Sequence, residues 1–327
     1  MKRLTGIVSL GVGLMAAAVV CAQQPGSYPT RPVRMIVPFA PGGASDLVGR
    51  IISPRLGQEL GQQIVVDNRG GASGNIGVEV AARSTADGYT ILLGNIGTMV
   101  INPAIFPKFP IRPVRDLVAI TQVVDVPTAL AAHPSVPSNT VKEFIEYAKA
   151  RPGKLNYGSA GAGSNGRLEM EFFMRAAGIE LVQIPYKGGA GAAAAALLAG
   201  EVQTAFVTLS STLTQVRAGK LKVLGIAAAK RVSAAPEIPI MAEAGFTGMT
   251  SGSWQGVYVP AGTPQPVVDR LFAAVTKVMA DPEIVKRLND SGAEVITSKS
   301  PAAFGAFMKT QTAHWDKLVR DVGVVAD

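Results

Sequence analysis

The stretch VRMIVPFAPGGASD at residues 33–46 places an apolar, β-branched run directly before a glycine-rich turn and the start of a helical pattern. A second stretch, KLNYGSAGAGSNG at residues 154–166, has the same order of features. Glycines allow backbone N–H groups to approach a ligand closely, and the positive end of the following helix favours a bound anion. Each turn therefore predicts an anion-binding cradle, and two cradles in one chain predict two lobes that face one small anion.

Residues 1–22 have the pattern of a secretory signal peptide. Lys2 and Arg3 precede an apolar run over residues 4–20, and the small side chain of Ala22 offers a cleavage site. An uncleaved membrane anchor and a lipid anchor at Cys21 are alternatives, although the bulky Val20 disfavours the lipid signal. Cleavage near Ala22 predicts export to the periplasm. It also removes the single cysteine, so that the mature protein has neither a disulfide nor a thiolate metal site.

The composition suits two ordinary exported domains, since the chain has 327 residues of which 48% are hydrophobic. The net charge is +8, but the basic residues are scattered singly and aromatic residues make up only 6% of the chain. Nucleic-acid-binding proteins instead concentrate their basic residues and interleave them with aromatic ones. The sequence therefore predicts a solvated basic surface that attracts anionic solutes, and no nucleic-acid partner.

Apolar stretches alternate with helical periodicity, which predicts an α/β fold with mostly parallel sheets covered on both faces. Pro54 lies inside the first helical pattern and predicts a kink or a break there. Thr140 and Glu143 have the spacing of a helix capping box. The predicted strands are 33–39, 63–67, 90–93, 181–185, 204–207 and 222–227, and the predicted helices are 45–59, 75–83, 141–150, 167–177, 190–198, 265–279, 282–288 and 301–319.

Two extended segments, 123–134 and 253–260, have the character of crossings between lobes. Two crossings place the N- and C-terminal parts of the chain in one lobe and the middle part in the other. Two consecutive domains joined by one linker agree equally well with the pattern of the residues, so both arrangements stay open at this point.

The residues offer binding turns rather than catalysts. Residues 161–166 match the dinucleotide fingerprint G-x-G-x-x-G, but the next strand does not end in the acidic residue that this motif requires. A serine hydrolase built on Ser164 needs a histidine base, and the chain has only His133 and His314. We therefore predict no catalytic residue, no metal and no cofactor, with a secreted hydrolase that uses Ser164 as the alternative.

Several motifs resemble one family in the order in which they occur. RPVRMIVPFAPGG at residues 31–43, VDNRGGASGNIG at 66–77, PYKG at 185–188 and PAGTP at 260–264 resemble the Bug-type receptors, which are periplasmic solute-binding proteins of tripartite tricarboxylate transporters. The resemblance implies a two-lobed, type II-like periplasmic-binding-protein clamshell with two crossing segments. It places lobe 1 at residues 23–125 and 253–327, and lobe 2 at residues 126–252.

The resemblance also implies where a ligand carboxylate is held by backbone amides and small polar side chains. Asp46 has a second possible role as an acceptor for N–H groups of its own helix, and Ser164 and Asn165 can equally serve as helix starters. The residues implied as ligand contacts are Phe39, Gly42, Gly43, Ala44, Asp46, Asn95, Gly97, Thr98, Ser159, Gly161, Gly163, Ser164, Asn165 and Thr208.

Two departures from the family pattern lie near the expected cleft. Arg167 stands where the family often has histidine, and Phe206-Val207-Thr208 stands where Phe-Asp-Asn is common. Without that aspartate, only Asp46 carries negative charge in the implied contact segments. We therefore expect a plain mono- or dicarboxylate, aliphatic or aromatic, rather than an amino acid. The implied partners are membrane subunits of a tripartite transporter, with a membrane sensor protein as the alternative, and the receptor itself is expected to be a monomer.

Overall fold

The computed structural model describes residues 28–161, 164–186, 189–249 and 252–322. The predicted signal peptide, residues 1–22, lies outside the described residues. The strands are β1 (Val33–Val37), β2 (Ile64–Asn68), β3 (Thr90–Asn95), β4 (Leu117–Asp125), β5 (Thr128–Ala132), β6 (Asn156–Ser159), β7 (Val182–Pro185), β8 (Thr204–Thr208), β9 (Lys222–Ala227), β10 (Gln255–Pro260) and β11 (Glu294–Val295).

The helices lie between these strands and after them, and the predicted helices are all present with shifts of a few residues at their ends. They are α1 (Ala44–Leu60), α2 (Asn75–Ala82), α3 (Asn102–Ile105), α4 (Pro113–Asp116), α5 (Val141–Lys149), α6 (Asn165–Ala177), α7 (Ala190–Leu198), α8 (Leu209–Arg217), α9 (Gln265–Met279), α10 (Pro282–Asp290) and α11 (Pro301–Val322). The sequence analysis did not predict α3, α4, α8 or the π-helical turn Gly97–Ile101, which are short or lack a clear apolar period.

The strands form two sheets with helices on both faces of each. The first sheet has the order β11-β4-β10-β3-β1-β2, and the second has the order β7-β6-β8-β5-β9. Buried side chains of α1, α9 and α10 cover one face of the first sheet, and those of α11 cover the other. The α/β architecture with two sheets is therefore as expected, and the middle of the chain supplies the whole second sheet.

The sheets are mixed, and the prediction of mostly parallel sheets was wrong in this respect. Parallel pairing joins β1 to β2 and β3, and β6 to β7 and β8. In contrast, β10 is antiparallel to β3 and β4, and β5 is antiparallel to β8 and β9. Both β5 and β10 are the first strands that the chain forms after it passes from one sheet to the other. They therefore lack the helical crossover that makes consecutive strands parallel.

The chain crosses between the sheets twice, in segments much shorter than predicted. β4 ends at Asp125 and β5 begins at Thr128, so most of the predicted crossing 123–134 is strand. The return leads into β10, which occupies most of the predicted crossing 253–260. The two passages are tied together, because the Val126 N–H donates to the Ser253 carbonyl at 3.3 Å and the Ser253 N–H donates to the Val126 carbonyl at 2.7 Å.

Pro54 does not divide the first helix, contrary to one of the two outcomes predicted for it. α1 is continuous, and residues on both sides of the proline, such as Ile52 and Leu56, are buried in the core. That burial outweighs the loss of one backbone hydrogen bond, since a core residue contributes about 1.5–3 kcal/mol. The predicted cap of α5 is present, because Thr140 Oγ1 accepts the Glu143 N–H at 3.1 Å.

Asp125 is buried beside the first crossing. Burial, and then the nearby Glu294 carboxylate, raise the pKa of Asp125 to about 6, while the Val126 N–H acts in the opposite direction. A side chain on Gly252, in the returning passage, would collide with the Asp125 carboxylate. The charged form of Asp125 is therefore the unfavourable one in the folded protein.

We expect Asp125 to contribute a loss of stability as the pH rises from 4 to 7, because its folded-state pKa lies above its ordinary value of 3.8. The stabilising effect of the proton is complete below pH 3.8 and is lost as the pH passes through about 6. The loss should amount to about 1–3 kcal/mol at about 1.4 kcal/mol per pKa unit. Asp125→Asn should remove this dependence in denaturant titrations, whereas the exposed Glu237→Gln should keep it. A wild-type stability that rises over this range relative to Asp125→Asn would contradict the assignment.

Candidate functional site

A cleft of about 770 Å³, including its opening to solvent, lies between the two sheets at the ends of several strands. Eight of the fourteen residues proposed from the sequence line it. Both glycine turns contribute, so the structure brings together the two stretches with which the sequence analysis began. The eight residues are Phe39, Gly43, Ala44, Asn95, Gly97, Ser164, Asn165 and Thr208.

Helix N-termini converge on this cleft from both sides. Gly43, Ser164 and Thr208 are the residues that precede α1, α6 and α8, and Ala190 is the first residue of α7. The first N–H groups of a helix have no partner within the helix, and they carry partial positive charge. The cleft is therefore suited to an anion.

The N-terminus of α1 has no side-chain cap, and the N-terminus of α7 likewise has none. Gly43 has no side chain with which to cap the helix, and Ala44 and Ser45 of the first turn also line the cleft. At α6, by contrast, Ser164 Oγ accepts the Arg167 N–H at 3.3 Å. At α8, the first N–H, that of Leu209, donates to the Pro127 carbonyl at 2.8 Å. An anion in the cleft thus finds uncapped backbone donors at Gly43, Ala44 and Ser45 of the first lobe, and at the start of α7 on the opposite side.

Asp46 supports this turn and does not line the cleft. One carboxylate oxygen accepts the Gly42 N–H at 3.0 Å, and Arg50 donates to both oxygens at 2.9 and 3.0 Å. Burial raises the pKa of Asp46, but the bonds from Arg50, Gly42 and Asn68 outweigh it and hold the pKa below its ordinary value. The acceptor role considered from the sequence is correct in kind, although the N–H that Asp46 accepts belongs to the turn rather than to the helix.

Asn95 and Gly97 reach the cleft from the end of β3. The Asn95 side-chain oxygen accepts the Thr98 N–H at 3.1 Å, and the Thr98 hydroxyl lies 3.2 Å from the Asn95 N–H. These paired bonds fix the turn that leads into the π-helical segment. Thr98 is fully buried and supports the turn instead of lining the cleft.

Ser164 has the contacts of a structural helix cap. Its hydroxyl donates to the Gly161 carbonyl at 2.9 Å and accepts the Arg167 N–H. The His133 ring is bonded to the Ser135 hydroxyl at 2.8 Å, and the His314 ring packs edge-on against Trp315. Each of these three residues is thus engaged in local structure, with contacts that do not match those of a catalytic triad.

The remaining predicted contacts lie outside the lining of the cleft. Gly42, Ser159 and Gly161 flank it within the two turns, where Ser159 Oγ accepts the Gln183 amide at 2.8 Å. Gly163 lies outside the described residues. Arg167, which stands where the family often has histidine, also does not line the cleft. Its charge lies near the Tyr157 hydroxyl, where it partly offsets the burial and the Glu171 contact that raise the pKa of Tyr157.

Several residues of the cleft were not predicted from the sequence. Ser73 is the one for which the sequence offered the clearest signal. Ser73 belongs to the GGASGN motif at residues 70–75 and has a left-handed backbone with φ of 57°, as has Ala72 with φ of 46°. Side chains are uncommon in this conformation outside functional or tightly constrained sites. The other lining residues that were not among the predicted contacts include Thr128, Ala160, Gly166, Ala193, Phe206, Val207 and Ser253, of which Phe206 and Val207 were expected near the cleft.

Glu169 is a buried acid directly behind the second-sheet wall of the cleft. One of its oxygens accepts the Thr128 hydroxyl at 2.6 Å and the Asn165 amide at 3.1 Å. Only Asp46 was expected from the sequence to be an acid near the cleft, and Glu169 is a second one. The spacing in the sequence does indicate this position, since Glu169 lies one helical turn after Asn165. An acid inside a helix ordinarily faces solvent, however, so the sequence offered no reason to place it at the cleft.

The two lobes touch across the mouth of the cleft through glycines. A Cβ atom on Gly191 would lie 3.1 Å from the Gly43 nitrogen, and one on Gly189 would lie 2.9 Å from the Phe39 ring. A Cβ atom on Gly161 would lie 2.7 Å from the Ser73 hydroxyl. These distances leave no room for larger side chains, so the structure has the closed arrangement of the cleft.

Two α/β sheets joined by paired crossings, with helix N-termini closing on a small cleft, define a two-lobed solute-binding protein. The family model described as "Tripartite tricarboxylate transporter family receptor" matches residues 48–324. The chain belongs to this receptor family, and the predicted Bug-type resemblance is confirmed. Within the described residues no helix is long and apolar enough to cross a membrane.

Relatives and solved structures are similar to this chain over nearly its whole length. Protein BugT of Bordetella pertussis is 32% identical, covering 99% of this chain and 98% of BugT. The structure of the periplasmic binding protein BugD is 37% identical with a TM-score of 0.88, covering 92% of this chain and all of that one. MatC from Rhodopseudomonas palustris with bound malate is 31% identical with a TM-score of 0.83, covering 89% and 100%. R. palustris Rpa4515 with adipate is 33% identical with a TM-score of 0.87, covering 91% and 99%.

The contact between Gly191 and Gly43 predicts the effect of a larger side chain on closure. Gly191→Val should hold the lobes apart and give a larger radius of gyration in small-angle X-ray scattering. Gly305→Val is the matched control, because Gly305 also lies in a helix but a Cβ there would meet nothing within 4 Å. Both variants should melt cooperatively. A Gly191→Val protein as compact as the wild type would show that the mouth tolerates the side chain.

Proposed function

We propose that this protein captures a small carboxylate between its two lobes and delivers it to the membrane subunits of a tripartite transporter. The observation that carries the proposal is the uncapped N-terminus of α1, which faces the N-termini of α6, α7 and α8 across a closed cleft. The lobes of this receptor would comprise residues 23–125 with 253–327, and residues 126–252. Export with cleavage near Ala22 would place it in the periplasm, in keeping with the periplasmic relatives.

The carboxylate is proposed to lie against Gly43, Ala44 and Ser45, where the start of α1 has no side-chain cap and lines the cleft. Asn95 and Gly97 would complete the contacts from the first lobe, and Ser164, Asn165 and Thr208 would complete them from the second. Gly42, Asp46, Thr98, Ser159 and Gly161 would act by holding these turns in place.

The body of the ligand would contact an apolar wall. Phe39, Ile96, Phe206 and Val207 line the cleft together with small alanines. Such a lining accommodates the carbon chain or ring of an aliphatic or aromatic acid. The malate and adipate bound to relatives of similar fold support a dicarboxylate of this size, and the apolar wall would also suit a monocarboxylate.

A proline at Ala44 tests the assignment of the carboxylate. Ala44 is the first residue of α1, where proline is tolerated, and Gly43 has the extended backbone (φ −85°, ψ 173°) that suits the residue before a proline. Ala44→Pro removes one N–H at the cleft and should weaken carboxylate binding about 10- to 100-fold, since a hydrogen bond to a charged group contributes about 1.5–3 kcal/mol.

Calorimetry with a panel of aliphatic and aromatic acids provides the measurement, after native mass spectrometry has shown whether an acid co-purifies. Ala44→Ser keeps the N–H and adds one heavy atom, so it controls for bulk and should bind nearly as well as the wild type. Binding of uncharged solutes in place of acids, or undiminished acid binding by Ala44→Pro, would refute the proposal.

A further inference from the structure

Asn165 presents an unsatisfied acceptor at the cleft. The residue is only 7% exposed, it lines the cleft, and its Oδ1 atom is buried without a hydrogen-bond partner. A buried polar atom that lacks a partner is costly, typically by about 1–3 kcal/mol. A ligand group in the cleft is the natural means by which this oxygen regains a hydrogen bond.

Glu169 determines which end of the Asn165 amide has no hydrogen-bond partner. A carboxylate can only accept hydrogen bonds, so the Asn165 amide must turn its NH₂ group toward Glu169, at 3.1 Å. The Oδ1 atom then lies on the other branch of the amide. The same Glu169 oxygen accepts the Thr128 hydroxyl at 2.6 Å, so two residues of this wall are oriented by one buried carboxylate.

The two walls of the cleft therefore differ in the side-chain groups that accompany their helix N-termini. The first-lobe wall offers backbone N–H donors at the start of α1, and the second-lobe wall offers an acceptor backed by negative charge. A second carboxylate placed against Asn165 would meet an oxygen and the field of Glu169, both of which repel it. A hydroxyl or amino group at that position would donate to Oδ1.

We propose that the second-lobe wall selects ligands carrying a hydrogen-bond donor, a hydroxyl or an amino group, which Asn165 Oδ1 accepts. Glu169 acts as the positioning residue for this acceptor. The inference rests on the proposed function, since it assumes that a carboxylate occupies the first-lobe wall. It narrows the ligand class to hydroxy or amino acids in preference to unsubstituted acids.

Malate, aspartate and succinate form a matched set of probes, because they differ at one carbon in carrying a hydroxyl, an amino group or hydrogen. Calorimetry on the wild type should show malate or aspartate binding at least about 10-fold more tightly than succinate, which corresponds to about 1.4 kcal/mol. Comparison of malate with aspartate identifies which donor is preferred. Lactate, alanine and propionate provide the same comparison for monocarboxylates.

Two variants distinguish selection of the ligand by Asn165 and Glu169 from a purely structural role of these residues. Asn165→Leu removes the acceptor at similar size and should bring the affinity ratio of each matched set close to one. Glu169→Gln can donate as well as accept, which frees the Asn165 amide to turn its NH₂ group toward the cleft. This variant should therefore shift preference toward succinate while it still melts cooperatively.

The outcomes distinguish this inference from the proposed function. Tight succinate binding without preference for malate or aspartate would overturn the inference and leave the receptor function intact. A preference that survives in both Asn165→Leu and Glu169→Gln would also overturn it. If no acid of either this set or the aliphatic and aromatic panel binds, the proposed function fails and the inference fails with it.

Discussion

The rest of the molecule depends on the paired passage between the two sheets. Val126 and Ser253 bond to each other in both directions, so the two crossing segments behave as one short extended ribbon. Because the ribbon is so short, it fixes which edges of the sheets face each other. The starts of α1, α6 and α8 are thereby held on opposite sides of one cleft, and glycines at the mouth let the walls approach closely. With a longer linker, the two glycine turns would not be held in fixed positions on opposite sides of the cleft.

Within this frame the two glycine turns, similar in sequence, have different electrostatic character. The first has no side-chain cap on its helix, and its acid, Asp46, is neutralised locally by Arg50 and the Gly42 N–H. The second has its helix capped by Ser164 and carries Glu169 behind it. A helix dipole alone would make both walls attractive to anions. The side chains around each turn differ, so the two walls of the cleft present different hydrogen-bonding groups to a ligand.

The fold could be predicted largely from periodicity and turns, as the agreement at α7, α9 and β9 shows. The antiparallel direction of β5 and β10 could not be predicted in this way. It follows from the two crossings between the sheets, and neither strand carries a local sequence signal for it. The break considered at Pro54 does not occur, because core burial on both sides outweighs the local effect of the proline. At the site, residues in glycine turns were found and Ser73, Thr128 and Glu169 were missed. These three act through tertiary contacts that join distant segments, such as the bond from Thr128 to Glu169.

The small residues of the second turn explain how Asn165 reaches the cleft at all. A Cβ atom on Gly166 would collide with the Phe206 carbonyl, so only glycine lets the first turn of α6 pack directly against the backbone of β8. That packing brings α6 toward β5, which pairs with β8 so that Thr128 lies opposite Thr208. Asn165, Thr128 and Glu169 can then form one cluster at the wall. Gly166 thus serves the site through its missing side chain, because the space left there determines where the neighbouring polar groups lie.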